Sequence, residues 1–146
     1  MEPTEDKSHL TAISRKSLSS PAKWLLDNNL LVGRLLDYGC GKGTDASILK
    51  ANTYDPYYFQ FNLTGWEFDT IYCIYVLNVL PAVKIPFVLD EIKQRLASNG
   101  IAYLVVRRDI KQEGLTSKGT EQWNVVLDLP IVVEKKNKFC IYKLVK

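Results

Sequence analysis

Leu36-Asp37-Tyr38-Gly39-Cys40-Gly41-Lys42-Gly43-Thr44-Asp45 decides how the chain is read. Arg34-Leu35-Leu36 before it is short and apolar enough for a buried strand, and a helical pattern, Asp45 to Lys50, follows it. Three glycines at alternate positions sit between strand and helix. Glycine lets the backbone turn sharply and lets a ligand approach main-chain atoms with no Cβ in the way. The helix start adds unbonded N–H groups and the positive end of a dipole. Strand, glycine turn and helix together make a nucleotide-type site.

Spacing narrows the ligand. A dinucleotide site asks for G-x-G-x-x-G, and here position 44 is threonine, the third glycine falling one residue early. A phosphate-binding loop asks for G-x-x-x-x-G-K-[ST], but Lys42 is followed by Gly43 and no glycine stands five residues before Gly41. Asp55 follows Asp37 by 18 positions. An acid at the end of a second strand, about 20 residues past a glycine turn, accepts hydrogen bonds from ribose hydroxyls.

The rest of the chain reads as one α/β domain over residues 1–146, with 1–8 disordered. Ser19-Ser20-Pro21 signals a helix start, a hydroxyl cap with proline in the first turn, for a helix Ala22 to Leu31 ended by Gly33. Strands are expected at Arg34–Asp37, Thr53–Asp55, Asp69–Val76 and Ile101–Val106. Asp69–Val76 has the unbroken apolar character of a parallel strand buried on both faces. A helix from Val83 to Ala97 carries Val88, Leu89, Ile92 and Leu96 at helical spacing, with Asn99-Gly100 as its cap. Arg107 to Gly119 reads as a polar, cationic loop. Val125–Val133 and Phe139–Val145, joined by a turn at Glu134–Lys138, read as an antiparallel hairpin.

The D-x-G-x-G-x-G pattern resembles motif I of class I S-adenosylmethionine (SAM) methyltransferases, and Phe68 to Leu80 looks like their motif IV. The element order agrees, since that family ends in an antiparallel hairpin whose last strand enters the sheet. The resemblance implies a reduced Rossmann-like fold with SAM as cofactor. Asp37 would hold the glycine loop or approach the ligand's ammonium through water, and Gly39, Gly41 and Gly43 would admit its amino-acid end. Asp55 would take the ribose, while Tyr57, Tyr58 and Phe59 offer stacking surface to adenine or cover an exposed sheet edge. Tyr75 and Asn78, at the end of motif IV, are candidates for contacting the methionine end or the acceptor. Only 14 positions separate Asp55 from Asp69. The third strand usual in the family, with its connections, does not fit there and is expected to be missing.

The sequence also departs from relatives that methylate nucleic-acid amino groups, because it has no N/D/S-P-P-Y/F tetrapeptide after the motif IV strand. Thr11-Ala12-Ile13-Ser14-Arg15, Asp37 to Gly41, Tyr54-Asp55-Pro56 and Tyr75 to Val79 together resemble small methyltransferases found with DNA-phosphorothioation loci and in phage-like genomes. That resemblance implies a methyltransferase of unassigned substrate. Arg15, Arg107 and Arg108 are expected at the rim of the site, suited to an anionic or nucleic-acid acceptor. Asp109 or Tyr75 would serve as base if the acceptor must lose a proton. Two rival readings stand beside this one: a non-catalytic SAM-binding partner subunit, and a nicotinamide oxidoreductase, which the glycine spacing disfavours.

Composition adds bounds. The net charge of +3 permits a nucleic-acid partner without arguing for one. Three cysteines, Cys40, Cys73 and Cys140, lie far apart inside apolar patterns, and with His9 as the only histidine they offer no metal-ligand spacing. They read as reduced thiols of a cytoplasmic protein. No metal and no membrane contact is expected.

Overall fold

A computed structural model describes residues 16–60 and 62–146. The expectations for residues 1–8 and for Arg15 therefore lie outside the described residues. Among the described residues eight strands and three α-helices are assigned. In chain order these are α1 (Ser20–Asp27), β1 (Leu35–Tyr38), α2 (Thr44–Leu49), β2 (Asn52–Tyr54), β3 (Phe68–Ile74), α3 (Ile85–Gln94), β4 (Leu96–Arg107), β5 (Gly114–Leu115), β6 (Glu121–Gln122), β7 (Ile131–Lys135) and β8 (Phe139–Val145). Six strands form one sheet in the order β2-β1-β3-β4-β8-β7. The four strands from β2 to β4 run parallel, and β8 enters antiparallel between β4 and β7.

Alternation along the strands builds two cores. Leu36, Tyr38, Ile71, Cys73, Ala102, Leu104, Val106, Cys140 and Tyr142 face α3, where Ile92 is buried with Val88 and Leu89 beside it. The intervening residues Tyr72, Tyr103, Val105, Phe139 and Ile141 face α1 and its Leu25. A strand covered on both faces must be apolar at every position, which explains the continuous runs in β3 and β4. α1 starts as expected: Ser19 Oγ accepts from the Ala22 N–H at 3.3 Å.

The structure corrects several boundaries. α1 stops at Asp27, not Leu31, with Asn29 in the left-handed region. Gly33 serves another purpose, because a Cβ there would collide with the Asp69 side chain. α3 stops at Gln94, and Asn99-Gly100 is not its cap but lies within β4. There the pairing with β3 shifts register between Phe68 and Thr70, and a Cβ on Gly100 would come within 2.8 Å of the Phe68 carbonyl oxygen. That glycine permits a backbone approach, as glycine inside a strand often does. The Arg107–Gly119 segment is not wholly loop, since β5 within it pairs with β6.

Among the described residues no strand flanks the outer side of β2, so the sheet lacks the third strand as expected. The chain runs out from β1 to β2 and then returns to the far side of β1 as β3. This reversal is the topological switch point where open α/β sheets leave a crevice at their carboxyl ends.

Candidate functional site

The glycine loop leaves β1 beside that switch point. It is laced to the end of β2: the Gly39 and Cys40 N–H groups both donate to the Tyr54 carbonyl, at 2.7 and 3.0 Å. The next amide, Gly41, donates to Asp55 Oδ2 at 2.9 Å. Three successive loop amides are thus taken up by the protein. They cannot cradle a phosphate, which agrees with the failed match to a phosphate-binding loop.

Gly39, Gly41 and Gly43 all adopt positive φ. Two of them also make room for neighbours. A Cβ at Gly39 would collide with the Val76 side chain, where the chain leaves β3, and one at Gly43 would press on the Phe59 ring at 3.2 Å. The loop is therefore wedged between the exit of β3 and the aromatic turn after β2.

Asp55 organises that turn. Its Oδ1 accepts from the Tyr57 and Tyr58 N–H groups at 2.9 and 3.0 Å, and its backbone pairs both ways with Phe59. The residue is buried, and its carboxylate ties turn and glycine loop together. Tyr57 and Tyr58 meet edge to face, 4.9 Å between centroids, with Tyr57 59% exposed. An exposed ring of this kind can stack on a planar group.

Asp37 is buried at the end of β1, opposite Tyr72 of β3. Asp45, at the start of α2, is also buried and receives Ser19 twice: its backbone N–H at 2.8 Å and its hydroxyl at 2.7 Å. This pair fixes the start of α1 to the start of α2 just behind the loop. Burial first, then the Asp37 and Asp55 carboxylates, push the Cys40 thiol up to about 12, so it stays protonated near neutrality.

Tyr75 closes β3 with its N–H on the Val105 carbonyl at 2.9 Å, yet its φ is 62°. A left-handed aromatic residue is a genuine outlier, and such strain clusters where a chain must present side chains to a site. The chain then enters a 3-10 turn, Leu77–Val79, that carries Asn78.

Asn78 is fully buried and committed to the fold. Its Nδ2 donates to the Trp123 carbonyl at 2.9 Å, its Oδ1 accepts from the Arg107 N–H at 2.8 Å, and its own carbonyl accepts from Trp123. It pins the segment after β6 to the ends of β3 and β4, a positioning part in place of the direct contact expected of it. Arg108 is likewise corrected from a rim residue to a structural one. Its fork donates to Tyr142 Oη at 2.7 Å and to the Val125 carbonyl at 2.8 Å, and it meets Glu134 at 3.3 Å.

Arg107 ends β4 and grips Asp109 through two bonds of 2.8 and 3.2 Å. That grip holds the Asp109 carboxyl below its ordinary value, which makes it a poorer base. Asp37, Gly39, Gly41, Gly43, Asp55 and Tyr57 thus gather at the ends of β1 and β2, while Arg107 links Asp109 to the buried Asn78 at the ends of β3 and β4. A polar concavity of 380 Å³, lined by Tyr54, Leu63, Glu91 and Arg95 among others, lies on the α3 side of β2. It is not the glycine-loop site, and Glu91 within it already accepts from Tyr38 Oη at 2.7 Å.

Sequence reasoning missed Ser19, Asp45, Val76 and Tyr72 as neighbours of the loop. Asp45, an acid two residues after the last glycine, was the one local signal; the others meet the loop through strand register and helix docking. Among the described residues no cluster of side chains could hold a metal ion. No helix among them is long and apolar enough to cross a membrane.

Residues 12–125 match the family model described as a methyltransferase domain. No curated protein matches the chain by sequence. Among solved structures, the DhpI complex with S-adenosylhomocysteine (SAH) is 13% identical, with a TM-score of 0.54 over 85% of this chain and 82% of that one. An S-adenosylmethionine-dependent methyltransferase from Clostridium acetobutylicum is 11% identical, with a TM-score of 0.52 over 83% and 87%. A third structure, concerned with conversion of a disulfide bond into a thioacetal during echinomycin biosynthesis, is 19% identical with a TM-score of 0.51; the chain spans only 50% of its length. At these identities the likeness is one of fold.

Proposed function

The chain belongs to the methyltransferase domain family, and from that premise we propose that it binds SAM at the glycine loop and transfers its methyl group to an acceptor. One observation carries the reading. The D-x-G-x-G-x-G loop stands at the sheet's switch point with Asp55, at the end of β2, tied directly to its central glycine. Ribose would meet the Asp55 carboxylate, the amino-acid end would lie toward Asp37, and Tyr57 offers a face to adenine where the absent third strand would have stood. The sulfonium is an activated donor, so placing it in line with a nucleophile supplies most of the catalysis. On this reading Tyr75, at the exit of β3, would contact the methionine end or the acceptor.

The arginines expected at the rim of the site support an anionic or nucleic-acid acceptor. Of the described rim arginines Arg107 suits it, because an incoming phosphate or carboxylate can take over the fork that Asp109 holds. The non-catalytic partner subunit has observations of its own in its favour: Asn78 is consumed by the fold, and Asp109 is a weakened base. Calorimetric titration with SAM, SAH and NAD tests the binding site, with binding of the first two and none of the third expected. Methyl transfer from labelled SAM to nucleic-acid, protein and small-molecule fractions then separates enzyme from partner subunit. Absence of SAM and SAH binding would overturn both.

A further inference from the structure

The turn that joins β7 to β8 carries Lys135, Lys136 and Lys138, all exposed. It is closed by the Lys138 N–H on the Lys135 carbonyl at 2.9 Å, with Asn137 in the left-handed conformation that asparagine tolerates. A turn this tight keeps three ammonium groups close together, and like charges repel. The one acid of the turn does not relieve them, because Glu134 is drawn back onto Arg108 at 3.3 Å. None of the three lysines has an acid partner among the described residues.

The sheet order brings this turn to the end where the glycine loop lies. β8 is antiparallel, so its first residue, Phe139, pairs with Arg107, the last of β4. The Arg108 N–H also donates to the Lys138 carbonyl at 3.0 Å. The lysines therefore stand at the carboxyl end of the parallel strands. β8 is three strands from β1 in the sheet, roughly 14 Å at the usual spacing between strands. Lys111, just past β4, is exposed and likewise has no acid partner among the described residues. The acids near it are engaged, Asp109 by Arg107 and Glu113 by the Asn124 N–H at 2.9 Å. Trp123 is 39% exposed, and its N–H holds it to the Asn78 carbonyl at the exit of β3.

A small anion would answer one or two of these cations. Cations spread over such a span, with an exposed indole among them, match a chain of phosphates whose bases stack. An anionic membrane would also attract the lysines. An acceptor must however reach the crevice beside β1, which a single strand enters and a bilayer does not. We propose that the β7–β8 turn holds a single-stranded nucleic acid by its phosphodiester backbone, with Trp123 stacking on a base between the turn and the site of methyl transfer. This rests on the proposed transfer to an anionic acceptor, and it names the class of that acceptor.

Fluorescence anisotropy of a short labelled single-stranded deoxyoligonucleotide, repeated over a range of salt concentrations, tests it. Lys135→Ala, Lys136→Ala and Lys138→Ala are combined in one variant. Each ammonium on a phosphate adds about 0.7 to the slope of log affinity against log salt, so the variant's slope should be about 2 shallower. With affinities converging near about 1 M salt, that is a loss of about 100-fold at about 0.1 M. Trp123→Ala should weaken binding about tenfold and leave the slope unchanged. The lysine variant should melt with the parent, since the side chains removed are exposed, and should keep the parent's calorimetric affinity for SAH. An unchanged slope in the lysine variant would overturn the assignment while leaving SAM binding intact. So would a parent protein that ignores the oligonucleotide, or one that binds phosphatidylserine vesicles in its place. Failure of the parent to bind SAM and SAH would instead overturn the methyltransferase reading, and with it the acceptor role of this surface, even where the strand still binds.

Discussion

Replacing Asp55 should loosen the glycine loop before any ligand is considered. Three backbone N–H groups converge on its carboxylate, from Gly41, Tyr57 and Tyr58. Hydrogen bonds to a charged group are worth about 1.5–3 kcal/mol each. Tyr57 and Tyr58 lie in an exposed turn, where water takes over a lost acceptor, so their share drops to about 0.5–1 kcal/mol apiece. The Gly41 amide is less accessible and keeps about 1.5 kcal/mol. Asp55→Ala should therefore destabilise the unliganded protein by about 3 kcal/mol, roughly 10 °C in melting temperature for a domain of this size. Asp55→Asn retains one acceptor oxygen. Turned toward Tyr57 and Tyr58, that oxygen leaves an amide NH₂ facing the Gly41 N–H, donor against donor. Its cost should be about 1.5 kcal/mol, confined to the loop. Urea denaturation of the parent and both variants gives the two numbers. A loss below about 1 kcal/mol for alanine, or an alanine variant no weaker than the asparagine one, would refute the lacing.

Asn78→Ala strands the Trp123 carbonyl and the Arg107 amide, and should cost about 3 kcal/mol by denaturation, with the Arg107 amide exchanging faster. The Arg107 grip lowers the Asp109 carboxyl, so its contribution to stability is present above the ordinary value of 3.8 and is lost as pH falls through the depressed one. Arg107→Ala should move the Asp109 titration, followed by carboxyl NMR shifts, back up toward that ordinary value. Cys40, pushed up to about 12, should resist iodoacetamide at pH 8 in the folded protein and react faster as pH rises; labelling at the rate of a free thiol would contradict its placement.

The sequence carried the fold best where periodicity and position agree. β8 runs Phe139–Val145, as its alternation predicts, because a hairpin strand is specified by its neighbours in sequence. The short gap between Asp55 and Asp69 ruled out a third strand by chain length alone. Asn99-Gly100 misled because the pair is a strong local stop signal, whereas here glycine answers a contact with Phe68 some thirty residues earlier. Arg108 misled for a similar reason: its partner Tyr142 lies 34 residues on, brought close only by the pairing of β4 with β8. The glycine loop and Asp55 were legible because their geometry is local to β1 and β2. Tyr72 was not, since within an apolar run nothing marks which side chain will face Asp37.

The same hydrogen bonds bear on how a ribose would be recognised. An ionised carboxylate offers about four acceptor directions. The fold fills both on Asp55 Oδ1 with Tyr57 and Tyr58, and one on Oδ2 with Gly41. One direction remains, whereas a ribose diol brings two hydroxyl donors. A single hydroxyl fits without disturbance; a second must displace an amide or find another acceptor. The amides of Tyr57 and Tyr58 are the ones water can compensate, and the Gly41 amide is not. Recognition of a diol there would thus fall on the side of the carboxylate that shapes the aromatic turn, and Phe59 of that turn rests on Gly43. If ribose binds at Asp55 as proposed, it would compete with the cover over the glycine loop for the same oxygen.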